Sequence, residues 1–384
     1  MRILGLALLS FAIAVPASGE AASVACSKDA MEIAPSAVVE PCSARLAEAG
    51  LSDANRASFL FVRGQAYHRT SRMELAAADY DAALKITPEN ADILVSRSNI
   101  DLRSGDGRTY VARVVRAMDL APENPRVLRA AGTLLQNSGE PERAIQAYTE
   151  ALSKGLEPFA LYFRAMLYRD KRSYKEALAD ADALVAIPAD KINRWGYVDN
   201  EGVPRDFHAE ALSARAEIYE FMGKVDLAEK DYDAAIAQER SAPTLQARGE
   251  LLAAKPDRAA EALRDLREAV EREPGNPRLQ YNAARILVNL KDSDHAMTAL
   301  DNAIAAWPNY SRALQLRAKL NRQSAKTDAA VRDYLAAMQS DVMVRRASME
   351  ALRRAGYWTT AVENPNAPGL EDAVRACMLD VQCN

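Results

Sequence analysis

The chain has 384 residues, of which 49% are hydrophobic and 27% charged, and this balance excludes a largely disordered polypeptide. Aromatic residues make up only 6%, which disfavours an aromatic-rich β-sandwich and favours closely packed helices. The 49 Lys and Arg residues against 53 Asp and Glu residues give a net charge of −4, which argues against a nucleic-acid-binding protein.

The first 19 residues have the layout of a secretory signal peptide. Arg2 gives a short positive start, residues 3–15 form a thirteen-residue apolar run, and small residues precede a cleavage site before Glu20. The run is shorter than the roughly 20 residues of a membrane span. A lipoprotein is the alternative, but Cys26 lies eleven residues beyond the apolar run. We therefore expect a periplasmic or secreted mature chain with no transmembrane span.

The four cysteines stand in two pairs, Cys26 with Cys42 and Cys377 with Cys383, near the two ends of the mature chain. An even number of cysteines in an oxidising compartment suggests disulfides, and local pairing requires the least chain closure. No CxxC spacing supports the alternative of redox-active thiols. We predict the disulfides Cys26–Cys42 and Cys377–Cys383, which would hold both ends of the chain.

A set of small, tyrosine, alanine and proline residues returns along the chain at intervals of about 34 residues. In its first occurrence the set is Gly64, Tyr67, Ala76, Tyr80, Ala83 and Pro88. The units begin near residues 57, 91, 125, 158, 209, 242, 277 and 311. Seventeen extra residues separate the fourth unit from the fifth, and the second unit is degenerate.

This period and these residue types resemble the tetratricopeptide repeat, a helix–turn–helix unit. The resemblance implies an all-α solenoid in which small residues at positions 8 and 20 let two helices approach closely. Tyrosines at positions 11 and 24 are expected to fill the space between neighbouring units. The predicted organisation is a signal peptide at 1–19, an N-terminal helical cap at 20–56, four repeats at 57–190, an insertion at 191–208, four repeats at 209–344 and a C-terminal helical segment at 345–384.

Paired aspartates recur on the second helix of several units, as in Asp79-Tyr80-Asp81, Asp180-Ala181-Asp182 and Asp231-Tyr232-Asp233. Because they return with the repeat, we interpret them as a solvated helix face and not as a catalytic or metal-binding pair. The three histidines lie far apart in no ligand spacing, and no phosphate loop or nucleophile motif is present. The sequence therefore predicts no enzyme, no metal and no cofactor.

Two segments depart from the repeat. The insertion carries Trp195 and Tyr197, which either present a binding surface or pack over the adjoining helices. The C-terminal segment resembles a shortened peptidoglycan-binding module, but Leu370 stands where threonine is expected. A terminal cap is the alternative function of this segment.

The resemblance also implies that positions 2, 5, 9 and 12 of each first helix line a concave groove. At these positions the fifth and sixth units supply acidic residues, and the last two supply basic ones. The predicted partner-binding residues are Arg278, Tyr281, Arg285, Arg312, Lys319 and Arg322. We expect a non-catalytic bacterial envelope scaffold that binds a protein or peptide through an acidic segment, with a cell-wall protein that contacts peptidoglycan as the alternative.

Overall fold

The computed structural model describes residues 26–27, 35–197, 204–360 and 364–380. Within these residues the backbone forms 20 α-helices and two short 3₁₀ helices, with no strand. The predicted all-α repeat fold is confirmed. The predicted signal peptide, residues 1–19, lies outside the described residues.

The chain divides into two compact units, and the first ends at Phe221. A 3₁₀ helix at Asn193–Trp195 follows its tenth α-helix. The helices of this first unit are α1 (Pro35–Leu46), α2 (Asp53–Arg69), α3 (Met73–Ile86), α4 (Ala91–Arg103), α5 (Gly107–Leu120), α6 (Pro125–Asn137), α7 (Pro141–Lys154), α8 (Pro158–Asp170), α9 (Tyr174–Val185), α10 (Ala189–Ile192) and α11 (Phe207–Phe221).

The second unit begins at Met222. A 3₁₀ helix at Pro256–Arg258 precedes its third α-helix. The helices of this second unit are α12 (Val225–Gln238), α13 (Ala242–Ala253), α14 (Ala259–Arg272), α15 (Pro277–Asn289), α16 (Ser293–Ala306), α17 (Ser311–Gln323), α18 (Thr327–Ser340), α19 (Val342–Arg354) and α20 (Leu370–Leu379).

In seven of the eight repeats, the turn between the two helices places the fifteenth residue of the repeat in the left-handed backbone region. The sixth repeat differs, because its fifteenth residue is Pro256 in the 3₁₀ helix Pro256–Arg258. Glycine, which adopts positive φ without steric cost, occupies the position at Gly105, Gly139 and Gly223. The other four of these seven turns place a residue with a Cβ atom there, at Ser71, Arg172, Lys291 and Ala325, with φ between 56° and 63°. The same turn is therefore formed with and without glycine.

Glycine at position 8 marks the closest approach of the two helices in a repeat. A Cβ atom on Gly64 would lie 2.7 Å from Cε1 of Tyr80, and one on Gly132 would lie 2.5 Å from Cε1 of Tyr148. Both tyrosines are fully buried. Each ring therefore fills the gap that the glycine leaves in its own repeat, in addition to the predicted packing toward the next repeat.

An arginine at position 7 of several repeats binds an aspartate on the second helix of the same repeat, and in the first and fourth repeats this aspartate is the first member of a recurrent pair. Each guanidinium donates two hydrogen bonds of 2.6–2.9 Å to the carboxylate. These pairs are Arg63–Asp79, Arg164–Asp180, Arg248–Asp265 and Arg317–Asp333. Three of the arginines also reach the preceding repeat. Arg248 lies 2.6 Å from Asp233, Arg317 lies 2.7 Å from Asp301, and Arg164 donates a 2.7 Å hydrogen bond to the Thr149 hydroxyl.

The interpretation of the paired aspartates as a solvated face is therefore wrong for the first member of each pair. Asp79, Asp180 and Asp231 are only 5–6% exposed. The second members do face solvent, because the side chains of Asp81 and Asp233 are 41% and 56% exposed. Together the arginines and aspartates connect helices within a repeat and across the boundary between repeats.

Both ends of the described array are covered by non-repeat helices. Cys26 and Cys42 form a disulfide bond and share a buried cluster with Val38 on α1. At the other end α19 and α20 pack against α18 through a buried cluster. Its members are Val331, Met338, Met349, Leu352, Trp358, Leu370, Ala373 and Val374. Cys377 lies on α20, whereas Cys383 is outside the described residues, so their disulfide stays a prediction.

Candidate functional site

A cleft of about 530 Å³ opens between the N-terminal ends of α15 and α17, beside the loop from α16 to α17. We call it the basic cleft, because two of the predicted partner-binding arginines line it. Its lining residues are Arg278, Asn282, Trp307, Asn309, Tyr310, Ser311, Arg312, Ser340 and Asp341. The N-terminal ends of helices carry a partial positive charge, so both the side chains and the backbone favour an anion here.

Asp341 is the acidic residue of the cleft, and its carboxylate is occupied by the protein itself. It accepts hydrogen bonds from the backbone N–H groups of Met343 (2.8 Å) and Val344 (3.1 Å) at the start of α19. The Ser311 hydroxyl donates a further bond of 3.2 Å. The bond from Val344 is the largest cause that lowers the pKa of Asp341 below its ordinary value. The charge of Arg312 also lowers the pKa of Asp341, although less than these hydrogen bonds do. This carboxylate therefore caps a helix and forms no direct ion pair with Arg278 or Arg312 within the described residues.

An aromatic group forms one side of the basic cleft. Trp307 and Tyr310 stack with ring centroids 4.7 Å apart, and Tyr281 packs on Tyr310 with centroids 5.2 Å apart. Trp307 nevertheless keeps 45% of its surface exposed. The predicted residue Tyr281 thus contacts the cleft indirectly, whereas Trp307 and Tyr310 were missed. The sequence contains one signal for Trp307. It stands at position 31 of the seventh repeat, where the first two repeats carry the smaller residues Thr87 and Ala121.

The remaining predicted basic residues do not line the cleft. Arg285 pairs with Glu250 of the preceding repeat, with Nη2 and Oε1 3.0 Å apart. Arg322 donates a 2.7 Å hydrogen bond to the backbone carbonyl of Asp380, next to α20. Lys319 is exposed on α17. The structure thus brings Arg278 and Arg312 to one cleft and leaves the other three cations elsewhere on α15 and α17.

The acidic residues predicted at the groove positions of the fifth repeat lie on α11, in the first unit. They are Glu210, Glu217 and Glu220. Tyr162 donates a 2.7 Å hydrogen bond to Oε1 of Glu210, and Arg169 forms an ion pair with Glu217. Burial, followed by the charges of Glu210 and Glu220, raises the pKa of Glu217 above its ordinary value, against the opposing effect of Arg169. We call Glu210, Glu217 and Glu220 the acidic row. Two of its members are held by side chains of α8.

The insertion packs over its neighbours and also reaches the first repeat. Trp195 lies edge-on to Phe159 and Tyr197 stacks on Phe207, which matches the packing alternative, although Trp195 stays 37% exposed. Arg69 at the end of α2 donates a 3.4 Å hydrogen bond to the carbonyl of Asn193.

The same arginine passes close to the backbone of the insertion. Gly196 has a φ of +67°, and a Cβ atom there would lie 2.4 Å from Nε of Arg69. The insertion therefore connects the fourth repeat to the first within the N-terminal unit.

No group of three or more His, Cys, Asp or Glu residues in the described part of the chain is arranged to hold a metal ion. No helix in the same ranges combines the length and hydropathy of a membrane-crossing segment.

The helix pairs and the basic cleft define the class of protein as a helical-repeat interaction module. Family models described as Tetratricopeptide repeat match residues 43–91, 129–191, 209–241 and 251–320. These matches cover more than half of the sequence, and the chain belongs to the tetratricopeptide repeat family. Repeats of this kind form scaffolds for protein interactions and are generally non-catalytic. No curated protein matches the sequence.

Several solved structures are similar in fold. The crystal structure of the APC/C hetero-tetramer Cut9-Hcn1 matches with a TM-score of 0.56 and 13% identity, over 90% of this chain and 59% of that chain. The human IFIT1 dimer with PPP-AAAA matches with a TM-score of 0.52 and 12% identity, over 78% of this chain and 76% of that one. A tetratricopeptide repeat protein from Parabacteroides merdae ATCC 43184 has a TM-score of 0.48 and 19% identity, over 69% and 98% of the two chains. These likenesses concern the fold alone.

Proposed function

We propose that this protein is a non-catalytic scaffold of the bacterial periplasm or of the secreted fraction, and that it binds an acidic segment of a partner protein at the basic cleft. The observation that carries the proposal is the placement of Arg278 and Arg312 on one cleft. Within the described residues, neither guanidinium forms an ion pair with a carboxylate of its own chain. A partner carboxylate would therefore not have to displace an internal ion pair.

The cleft is better suited to an anionic segment than the rest of the predicted basic surface. Arg285 already has Glu250 as a partner, and Arg322 already binds the carbonyl of Asp380. Lys319 is exposed and adds long-range attraction without a defined geometry. The partner-binding set of the proposal is therefore centred on Arg278 and Arg312, with Lys319 as a contributor to the rate of association.

A direct test uses two short labelled peptides that differ only in charge, one rich in glutamate and one with glutamine in its place. Fluorescence anisotropy should report binding of the glutamate peptide alone, and the affinity should fall as salt concentration rises, because salt screens exposed charges. Equal binding of the two peptides, or an affinity that salt does not change, would contradict the proposed acidic partner.

The cellular location has its own test. The proposal rests on the layout of residues 1–19, so expression of the full sequence should give a mature protein that begins at Glu20 in the periplasmic or secreted fraction. N-terminal sequencing of the fractionated protein measures this directly. An intact N-terminus in the cytoplasmic fraction would refute the location and leave the binding proposal intact.

The cell-wall alternative is tested by sedimentation with purified peptidoglycan, comparing the full mature chain with variants on the exposed surface of the C-terminal segment. The packing of Trp358 and Leu352 against α18 supports the role of a terminal cap for residues 345–384. We therefore expect the protein to stay in the supernatant. Co-sedimentation that is lost on substitution of exposed residues such as Arg354 would favour glycan contact instead.

A further inference from the structure

The basic cleft has an apolar feature that an electrostatic role alone does not explain. Trp307 is 45% exposed although Tyr310 stacks on it, so one face of the indole remains open to a ligand. Tyr281 packs against Tyr310 at an interplanar angle of 56° and supports that ring. The stacked pair of Trp307 and Tyr310 thus offers a flat surface beside the two arginines, and aromatic residues contribute large contact areas at low entropic cost.

The cleft also offers hydrogen-bonding groups suited to a peptide backbone. Within the described residues, the side-chain amides of Asn282 and Asn309 form no hydrogen bond to another protein group, and both line the cleft. An asparagine amide can donate to a carbonyl and accept from an N–H at once. This combination fits an extended peptide, whose backbone presents both groups at each residue.

We propose that the basic cleft recognises an aspartate or glutamate side chain together with a neighbouring aromatic side chain of an extended peptide segment. The carboxylate binds Arg278 and Arg312, and the aromatic ring lies on the open face of Trp307. This inference rests on the proposed function and adds the aromatic requirement to it. The carboxylate comes from a side chain within the segment and not from the end of the partner chain.

The volume of about 530 Å³ agrees with such an occupant. It lies within the range of about 300–1,000 Å³ typical of sites for small ligands, so the cleft has room for a few side chains and not for a folded domain. Nucleic acid, which also combines anions with flat rings, is disfavoured by the net charge of −4.

The test measures binding of four short N-acetylated, C-amidated peptides to the full mature protein. The first contains glutamate next to phenylalanine, the second replaces phenylalanine by alanine, the third replaces glutamate by glutamine, and the fourth carries both changes. We expect each single replacement to weaken binding about tenfold. A non-amidated copy of the fourth peptide tests the alternative source of the carboxylate. If that peptide binds as tightly as the first, a terminal carboxylate is the ligand and the proposal is wrong.

Protein variants then assign the two contacts. Trp307→Ala should remove the preference for phenylalanine over alanine while preserving the preference for glutamate over glutamine. Arg312→Gln should remove the preference for glutamate while preserving the preference for phenylalanine. Phe221→Ala changes an aromatic residue that is 61% exposed on α11, and should leave all four affinities unchanged. A labelled single-stranded oligonucleotide serves as a further ligand, and its tighter binding would overturn the assignment to a peptide.

The outcomes distinguish a failure of the aromatic contact from a failure of the proposed acidic-partner function. If glutamate peptides bind and Trp307→Ala leaves the phenylalanine preference unchanged, the aromatic contact is refuted while the acidic partner stands. If no peptide distinguishes glutamate from glutamine, the proposed function itself fails. Circular dichroism of each variant shows whether a lost contact or a lost fold explains a change.

Discussion

The acidic row and the basic cleft contain similar numbers of charged residues but differ in how far the protein itself neutralises them. In the first unit, Glu210 accepts a hydrogen bond from Tyr162 and Glu217 pairs with Arg169. In the second unit, Arg278 and Arg312 line a cleft and pair with no carboxylate within the described residues. A charge that is already paired attracts a further ligand less strongly, because its partner offsets its field. The comparison therefore indicates that a row of like charges favours a ligand most where the structure leaves those charges unpaired.

The largest expected effect comes from reversing the charges of the cleft. Arg278→Glu combined with Arg312→Glu should weaken binding of an acidic peptide about 100-fold, because two attractive contacts become repulsive. The melting temperature should change little, since both side chains are exposed. Anisotropy and circular dichroism measure the two quantities.

The matched control for this reversal lies in the other unit. Glu210→Gln with Glu217→Gln neutralises the acidic row and should leave the affinity for the acidic peptide unchanged. A gain of tenfold or more in that control would mean that the two surfaces act together, and the contrast between paired and unpaired charges would fail.

A second prediction compares the arginine–aspartate pairs with their exposed neighbours. Asp333→Asn removes one charge of a pair in which Arg317 donates bonds of 2.6 and 2.9 Å, and should cost about 2 kcal/mol, because both groups are largely buried. Asp301 is the other partner of Arg317, and the Asp301 side chain is 57% exposed. Asp301→Asn should therefore lower the free energy of unfolding by less than about 1 kcal/mol. Urea denaturation measures both, and equal costs would contradict the assignment of a structural role to the buried aspartate.

A third prediction tests the glycine contact of the first unit against its counterpart in the second. Gly132→Ala should destabilise the protein by about 1–2 kcal/mol, because overpacking Tyr148 outweighs the better helix propensity of alanine. The seventh repeat has Ala284 and Leu300 at the same two positions. Adding Tyr148→Leu to Gly132→Ala should therefore recover part of the loss in thermal unfolding. A double variant that is no more stable than Gly132→Ala alone would refute the contact.

A fourth prediction concerns pH and the histidine His68 of the first unit. Burial, followed by the charge of Arg103, lowers the pKa of His68 to about 4. Between pH 6.5 and 4 the unfolded chain then binds the proton that the folded chain excludes, so stability is full above pH 6.5 and falls as the pH drops. His68→Gln should flatten this part of the stability profile, because glutamine has no proton to gain in this pH range. Parallel profiles for the wild type and His68→Gln would show that this histidine has no such role.

The smallest expected effect lies in the turns. Ala325 adopts a φ of 56°, and Ala325→Gly should stabilise the protein by up to about 1 kcal/mol, because glycine is unstrained there. The reciprocal change Gly139→Ala, at a φ of 77° in the first unit, should cost a similar amount. Differential scanning calorimetry resolves such shifts, and a loss of stability in Ala325→Gly would contradict the strain argument.

The repeat fold could be predicted from the sequence because its signals are local and recur. Small residues such as Gly64 and Gly132 return at a fixed period, and the period identifies the helix pairs. The ion pairs of the core could also have been found, since Arg63 precedes Asp79 by the same sixteen residues that separate Arg317 from Asp333. The recurrence of the aspartates alone does not reveal these pairs, because the pattern appears only when each aspartate is compared with the arginine upstream of it.

The candidate site was less predictable, because it depends on which charges find partners. Arg278 and Arg285 lie on the same helix, yet only Arg285 comes within reach of a glutamate, Glu250. Trp307 lies in a loop between repeats, where the periodic pattern carries no information about side-chain exposure. Contacts between distant parts of the chain are the hardest to predict, as with Arg69 and Asn193, which are 124 residues apart.

That last contact has a mechanical consequence. An array of helix pairs is elastic, because each repeat contacts mainly its neighbours and small rotations at successive interfaces add up along its length. The hydrogen bond from Arg69 to the carbonyl of Asn193 connects the first repeat to the insertion that follows the fourth repeat. Gly196 of the same insertion also lies close to the Arg69 side chain. Rotations at the intervening interfaces must then compensate one another. Extension of the N-terminal unit under tension should accordingly begin with the release of one arginine.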